Sequence, residues 1–143
     1  MAKLSPLQKV RDEHGSKYTL AEKLIGSLPF ELTDDQRNVL DEITADLEAS
    51  IPMARLLQGD VGSGKTVVAL ASALAVIESG QQVAFMAPTE LLARQHADAA
   101  VRLFADAGLD VSVGLLSGTV PPSARRPLLE AVSTGAVDLV IGT

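Results

Sequence analysis

The sequence predicts an α/β fold: a parallel sheet carrying helices on its faces, preceded by a short helical segment. Three observations predict it. From residue 55 onward, short apolar runs alternate with longer helix-patterned stretches, at the spacing of strand–helix–strand units. A glycine-rich turn, "GDVGSGKT", separates the first such run from the first such helix. The chain is 143 residues long and 47% hydrophobic, enough for one domain with a core and too short for two ordinary ones.

The elements follow in chain order. "SPLQ" places Ser5 as an N-cap, Pro6 at the first helical position and Gln8 as capping-box partner, with Gly15 ending the segment. "TLAE" repeats that spacing at Thr19 and Glu22. Residues 1–28 therefore read as a helical docking segment or linker, and residues 29–143 as the domain proper. "LTDDQRNVLDEITADLEAS" is a stronger helix. Thr33 caps it, Asp34 and Asp35 sit at the positive end of its dipole, and Val39, Leu40, Ile43 and Leu47 share one face.

Arg55–Gln58 reads as a strand feeding the glycine turn, and Lys65–Ser79 as a helix closed by Gly80. Gln82–Ala87 is a second strand, Thr89–Ala107 a helix closed by Gly108, and Val111–Leu116 a third strand. Residues 123–134 read as a helix with Pro127 near its start, and Asp138–Ile141 as a fourth strand.

Composition narrows the function classes. There is no cysteine, which excludes disulfides and thiolate metal sites and fits a reducing cytoplasm. The start "MAKLSPLQKV" lacks the apolar core of a signal peptide, and the longest apolar stretch, Val67 to Ile77, is too short to span a bilayer. A soluble, cytoplasmic protein without a membrane partner is expected. The net charge is −6, with the acids concentrated in residues 24–50, where Arg37 is the one basic group. A basic footprint is missing, so weak DNA affinity is expected of this chain alone. The acidic run also fits a plain solvated helix face.

The glycine turn carries the chemistry. Gly59 through Thr66 match the pattern G-x-x-x-x-G-K-[ST], through Asp60, Val61, Gly62, Ser63, Gly64 and Lys65. Glycines free the backbone so that successive N–H groups can face a phosphate, and the helix that follows adds the positive end of its dipole. Lys65 would reach the β and γ phosphates, and the Thr66 hydroxyl would ligate Mg²⁺. The bland alternative is a chance glycine turn with a solvated lysine. A preceding strand and a long apolar helix supply the context that the motif requires, so ATP with magnesium is the expected ligand.

With that loop in place, "PFELTDDQ", "PMARLLQGDVGSGKTVVAL", "MAPTELLARQH" and the terminal "DLVIGT" resemble the first motor lobe of the RecG DNA helicases of superfamily 2. Four motifs occur in order, over about four-fifths of the chain from Pro29 to Thr143. The transcription–repair coupling translocases are the nearest sibling. The resemblance implies an incomplete RecA-like lobe of an ATP-dependent DNA helicase that remodels branched or forked DNA in recombination and repair. It maps the adenine contact to Gln36, with Phe30 a candidate to pack near the base; yet Gln36 is also the capping-box partner of Thr33. It maps a DNA-backbone motif to Pro88, Thr89 and Glu90, where Thr89 could equally be an ordinary N-cap. Gly142 and Thr143 resemble the start of the next DNA-contacting motif. "SGTVPPSARRPLL" departs from the family, which usually has a lysine–glycine pair at Pro121 and Pro122. A phosphate contact by Arg125 and Arg126 is therefore in doubt, and a solvated face is the alternative.

Hydrolysis needs more than a phosphate cradle: an acid at a strand end to hold the magnesium shell, and a base for the water. Asp138 precedes its strand, and Glu90 is explained by capping. The resemblance implies that the Asp-Glu box and the second lobe, with its arginine finger, lie downstream of Thr143, and the duplex-wedging domain upstream of residue 1. Without the strands that follow in the family, the Arg55–Gln58 strand would keep an unpaired edge, and little turnover is expected. Two other classes compete. A small P-loop kinase would phosphorylate a nucleoside monophosphate, but the Asp34–Asp35 pair sits in a helix cap. A non-catalytic P-loop remnant or interaction module would keep the loop without the box.

Overall fold

In the computed structural model, the described residues are 18–59 and 64–143. The Ser5 capping box and Gly15 lie outside them, as do Asp60, Val61, Gly62 and Ser63. The backbone groups into two compact units, Met1–Gly80 and Gln81–Thr143.

The described part of the first unit is helical: α1 (Thr19–Ser27), α2 (Asp34–Glu48) and α3 (Lys65–Glu78). Helix α3, "KTVVALASALAVIE", is apolar nearly all round and buries Val67, Val68, Leu70, Ala71, Ala73, Leu74 and Ala75. A helix of that composition must be covered on more than one side. Helices α1 and α2 both pack against it. Helix α1 contributes Ala21, Leu24 and Ile25 and helix α2 Leu40 and Ile43, at the i, i+3, i+4 spacing of one helical face.

Two expectations for this unit are corrected. Thr19 does not cap α1; it is the first helical residue, and Tyr18 is an N-cap without a side-chain capping bond. Tyr18 is buried, and its hydroxyl lies 2.5 Å from Glu48 Oε1. Anchoring that ring is worth about 2 kcal/mol, more than the roughly 1 kcal/mol of a cap, so the buried tyrosine sets where the helix begins. Arg55–Gln58, expected as a strand, forms no ladder among the described residues. A strand persists by pairing its N–H and C=O groups, and no strand among the described residues pairs with this segment. Leu56 is 79% exposed as a result.

The second unit contains β1 (Val83–Met86), α4 (Glu90–Asp106), β2 (Val113–Leu116), α5 (Pro122–Thr134) and β3 (Leu139–Gly142). The three strands form a parallel sheet in the order β1-β3-β2. In register, Val83 and Val113 flank Leu139, and Phe85 and Leu115 flank Ile141. Residues that pair side by side share a face. Helix α4 packs on the face of this row through the small residues Ala93, Ala97 and Ala100 and through Phe104. His96 of α4 stands over Phe85, with ring centroids 5.0 Å apart. Leu128 of α5 approaches Gly114 so closely that a Cβ there would lie 2.6 Å from it. Gly80 and Gly108 close their helices in the left-handed region, as expected, and Gly135 does the same after α5. The parallel sheet with flanking helices is a partial RecA-like lobe.

Asp138 has a structural role at the start of β3. Its Oδ2 accepts from the Ser112 N–H at 3.0 Å, and its own N–H donates to Ser112 O at 3.1 Å and meets Ser112 Oγ at 3.0 Å. These bonds fix the register of β3 on β2 from below. Asp138→Ala leaves the Ser112 N–H without its acceptor and is expected to lower stability by about 1–3 kcal/mol. A urea titration of both proteins reads this as a shifted midpoint at constant slope.

Candidate nucleotide-binding site

The site is built in the first unit from three short segments. Helix α2 begins at a complete capping box: the Gln36 N–H donates to Thr33 Oγ1 at 3.1 Å, and the Thr33 N–H donates to Gln36 Oε1 at 2.9 Å. That box fixes the Gln36 amide at the helix start. Helix α3 begins at Lys65, behind Gly64 at φ +82°. The first N–H groups of any helix lack an acceptor within the helix, so a helix start offers donors and partial positive charge. The extended lead-in, residues 55–59, forms the third wall.

These walls enclose a cavity of about 380 Å³. Helix α2 supplies Thr33, Asp35, Gln36 and Val39, the lead-in supplies Leu57, Gln58 and Gly59, and helix α3 supplies Lys65 and Val68. Gln36 and Lys65, 29 positions apart in sequence, therefore share one pocket. The volume lies within the range of small-molecule sites, and Val39, Leu57 and Val68 give it apolar walls with a few polar groups between. Lys65 is exposed, and its Nζ donates to Gly59 O at 2.6 Å, spanning the two ends of the loop. At Gly64 a Cβ would lie 2.2 Å from Gln36 Nε2, so loop and helix α2 meet where only glycine fits.

The lead-in is tied to helix α2 by charge. Arg55 Nε lies 2.7 Å from Asp46 Oδ2, and Nη1 lies 2.9 Å from Glu42 Oε2. The hydrogen bond to Arg55 holds the Asp46 carboxyl below its ordinary value, and Asp46 in turn raises Arg55. A depressed carboxyl keeps its charge throughout the neutral range and loses it only in acid, so the tie is fully charged near pH 7.

Phe30 is not brought into this pocket. It is 49% exposed and lines a separate hollow with Ile25, Leu28 and Arg37. Thr66 follows Lys65 on helix α3, half-buried. Sequence reasoning missed Asp35, Val39, Leu57, Gln58 and Val68, which enter the pocket because three segments converge. Only the helical spacing of Asp35, Gln36 and Val39 hinted at it.

In the second unit, the remaining sequence-singled residues gather at the carboxyl ends of the strands. Thr89 caps α4, accepting from the Leu92 N–H at 3.2 Å, and Pro88 beside it is exposed. Glu90 Oε1 sits against Gly118. Thr143, Ser117, Gly118 and Arg125 line a hollow of about 490 Å³. Arg125 is more than a solvated side chain: its Nη2 donates to Ser117 O at 2.9 Å and pins the turn after β2. Arg126 lines an open surface with Leu129 and Glu130 on α5. Gly142 is explained by packing, since a Cβ there would lie 2.0 Å from Leu116 O. Carboxyl ends of parallel strands are where open α/β sheets place their ligands.

Lys65 at a helix start behind Gly64 in the first unit, and a parallel sheet with flanking helices in the second, are parts of a partial RecA-like helicase lobe. The chain belongs to the DEAD/DEAH box helicase family, whose profile matches residues 33–143. Within that family it is similar to the ATP-dependent DNA helicase RecG of Treponema pallidum (strain Nichols), at 58% identity over 124 residues, 87% of this chain and 18% of that protein. It is also similar to the proteins of the same name from Borreliella burgdorferi, at 50% identity over 133 residues (93% of this chain, 19% of that protein), and Bacillus subtilis, at 53% over 121 residues (85% and 17%). The chain thus spans about a fifth of the length of the curated relatives it matches. No helix among the described residues is long and apolar enough to cross a membrane.

Proposed function

We propose that this chain is the ATP-binding part of the first motor lobe of a RecG-like DNA helicase. The observation that carries the reading is the single pocket holding both Gln36 and Lys65. A nucleotide there would place its base against the amide end of helix α2 and its phosphates at the loop, Gly59 to Thr66. Lys65 would exchange the Gly59 carbonyl for phosphate oxygens, and the helix start would add N–H donors. The residues fit the group: Gly64, at φ +82°, adopts a conformation that favours glycine at the start of helix α3, and Lys65 stands beside it, exposed. Magnesium would arrive with the phosphates and take the Thr66 hydroxyl as a ligand. Phe30 would serve the base only from outside the pocket wall.

The strand-end cluster of Pro88, Thr89, Glu90, Gly142 and Thr143 is the proposed DNA-backbone contact of the intact protein, with forked or branched duplex as its substrate. Residues 1–28 are proposed as a helical segment preceding the lobe of residues 29–143. Strand β1 runs into Ala87 and Pro88, β2 into Ser117, and β3 ends at Gly142. None of these positions carries the carboxylate that a magnesium shell and an attacking water need. Binding with little turnover is the activity proposed for the chain by itself.

Titration with a fluorescent ATP analogue tests the reading, since the chain has no tryptophan to report. The expected result is saturable binding that needs Mg²⁺ and is displaced by ATP. Absence of saturable binding by a folded chain would refute it.

A further inference from the structure

We infer that Arg55 is a positioning residue for the nucleotide, setting the gap between the base-reading wall and the phosphate-reading wall of the pocket. The inference rests on the nucleotide reading of that pocket. Helix α2 supplies one wall through Thr33, Gln36 and Val39, and the lead-in supplies another through Leu57, Gln58 and Gly59. The α3 side of the loop is held by packing, because helix α2 contacts helix α3 directly and Gly64 abuts Gln36. The lead-in side is held differently. Residues 52–59 join no strand among the described residues, and Leu56 is 79% exposed, so no ladder and no burial at that position fix the segment.

What reaches across to helix α2 is the guanidinium of Arg55, four residues before Gly59. It engages two carboxylates one helical turn apart, Glu42 and Asp46, through two different nitrogens. A single exposed ion pair contributes little. A planar guanidinium held by two carboxylates at i and i+4 is geometrically defined in a way that a lysine's point charge is not. The fork touches no part of the pocket, and it acts on ligand only through the spacing of the walls. A ligand that touches both walls should feel that spacing, and one that touches only the loop should not.

ATP and inorganic tripolyphosphate separate these cases, each measured by displacement of a fluorescent ATP analogue from the full chain. For Arg55→Met, the affinity for ATP is expected to fall about tenfold while that for tripolyphosphate stays within about twofold, with Arg55→Lys between wild type and Arg55→Met. Unchanged ATP affinity in Arg55→Met would overturn the inference, and so would an equal loss for both ligands in a protein whose circular dichroism is native. If Arg55→Met does not fold, Glu42→Gln with Asp46→Asn removes the same fork from the other side and must show the same ATP-selective loss. Lys65→Ala serves as the reference and is expected to weaken both ligands together. If it weakens neither, the nucleotide reading itself fails, whatever Arg55 does.

Discussion

Lys65→Ala is expected to lower the affinity for Mg·ATP on the order of a hundredfold while leaving the fold intact. The ammonium is exposed at the first residue of α3, and its hydrogen bond goes to the Gly59 carbonyl at 2.6 Å. Truncating an exposed side chain at a helix start changes stability by about 0.5 kcal/mol or less. Its loss in the bound state is of another size. A lysine facing two phosphate groups makes charge-assisted bonds that no neighbour replaces; Arg55, the nearest cation in sequence, is committed to Glu42 and Asp46. Removing one partner of such a contact leaves the triphosphate charge partly unmatched and typically costs two powers of ten or more in affinity. The titration that tests binding measures it directly, and a thermal melt of the same samples separates lost contact from lost fold. Binding within threefold of wild type would mean that the phosphates are not at this loop.

Local chemistry was legible in the sequence and convergence was not. The capping box of Thr33 and Gln36, the helix start at Lys65 and the Thr89 cap are each written within a few residues, and each forms as read. The apolar runs behind β1, β2 and β3 were likewise plain. Their order was not, because parallel strands joined by crossovers leave to tertiary packing which strand sits in the middle; β3, the last in sequence, does. Arg55–Gln58 shows the same limit from the other side. Its pattern is that of a strand, but a strand also needs a neighbour, and sequence pattern does not state where that neighbour comes from. Arg55 read as the first residue of that strand, whereas its side chain holds Glu42 and Asp46 from 13 and 9 positions away. Gln36 had two competing readings, cap and base contact. The structure shows the cap bond, and it also puts the same amide in the pocket.

That double placement of Gln36 makes Gly64→Ala the second large effect. Gly64 sits at φ +82° and ψ 20°, a conformation that costs an L-residue about 1–2 kcal/mol. Gly80, Gly108 and Gly135 also have positive φ, but a Cβ on any of them meets nothing within 4 Å. At Gly64 the Cβ would lie 2.2 Å from Gln36 Nε2, so the amide must swing away. Its other end accepts from the Thr33 N–H, and moving it opens the capping box at a further cost of about 1 kcal/mol. The two terms together predict a loss of roughly 2–3 kcal/mol, or about 5–10 °C in Tm for a chain of this length. Nucleotide affinity should fall with it under the proposed base contact of Gln36, because that amide and the loop are displaced by one event. A double-mutant cycle tests the mechanism. If the clash drives the effect, Gly64→Ala in a Gln36→Ala background costs only the backbone strain, and the two substitutions fall short of additivity by about 1 kcal/mol. Strict additivity would show that Gln36 and Gly64 act separately, and the coupling of helix α2 to the loop would have to be abandoned.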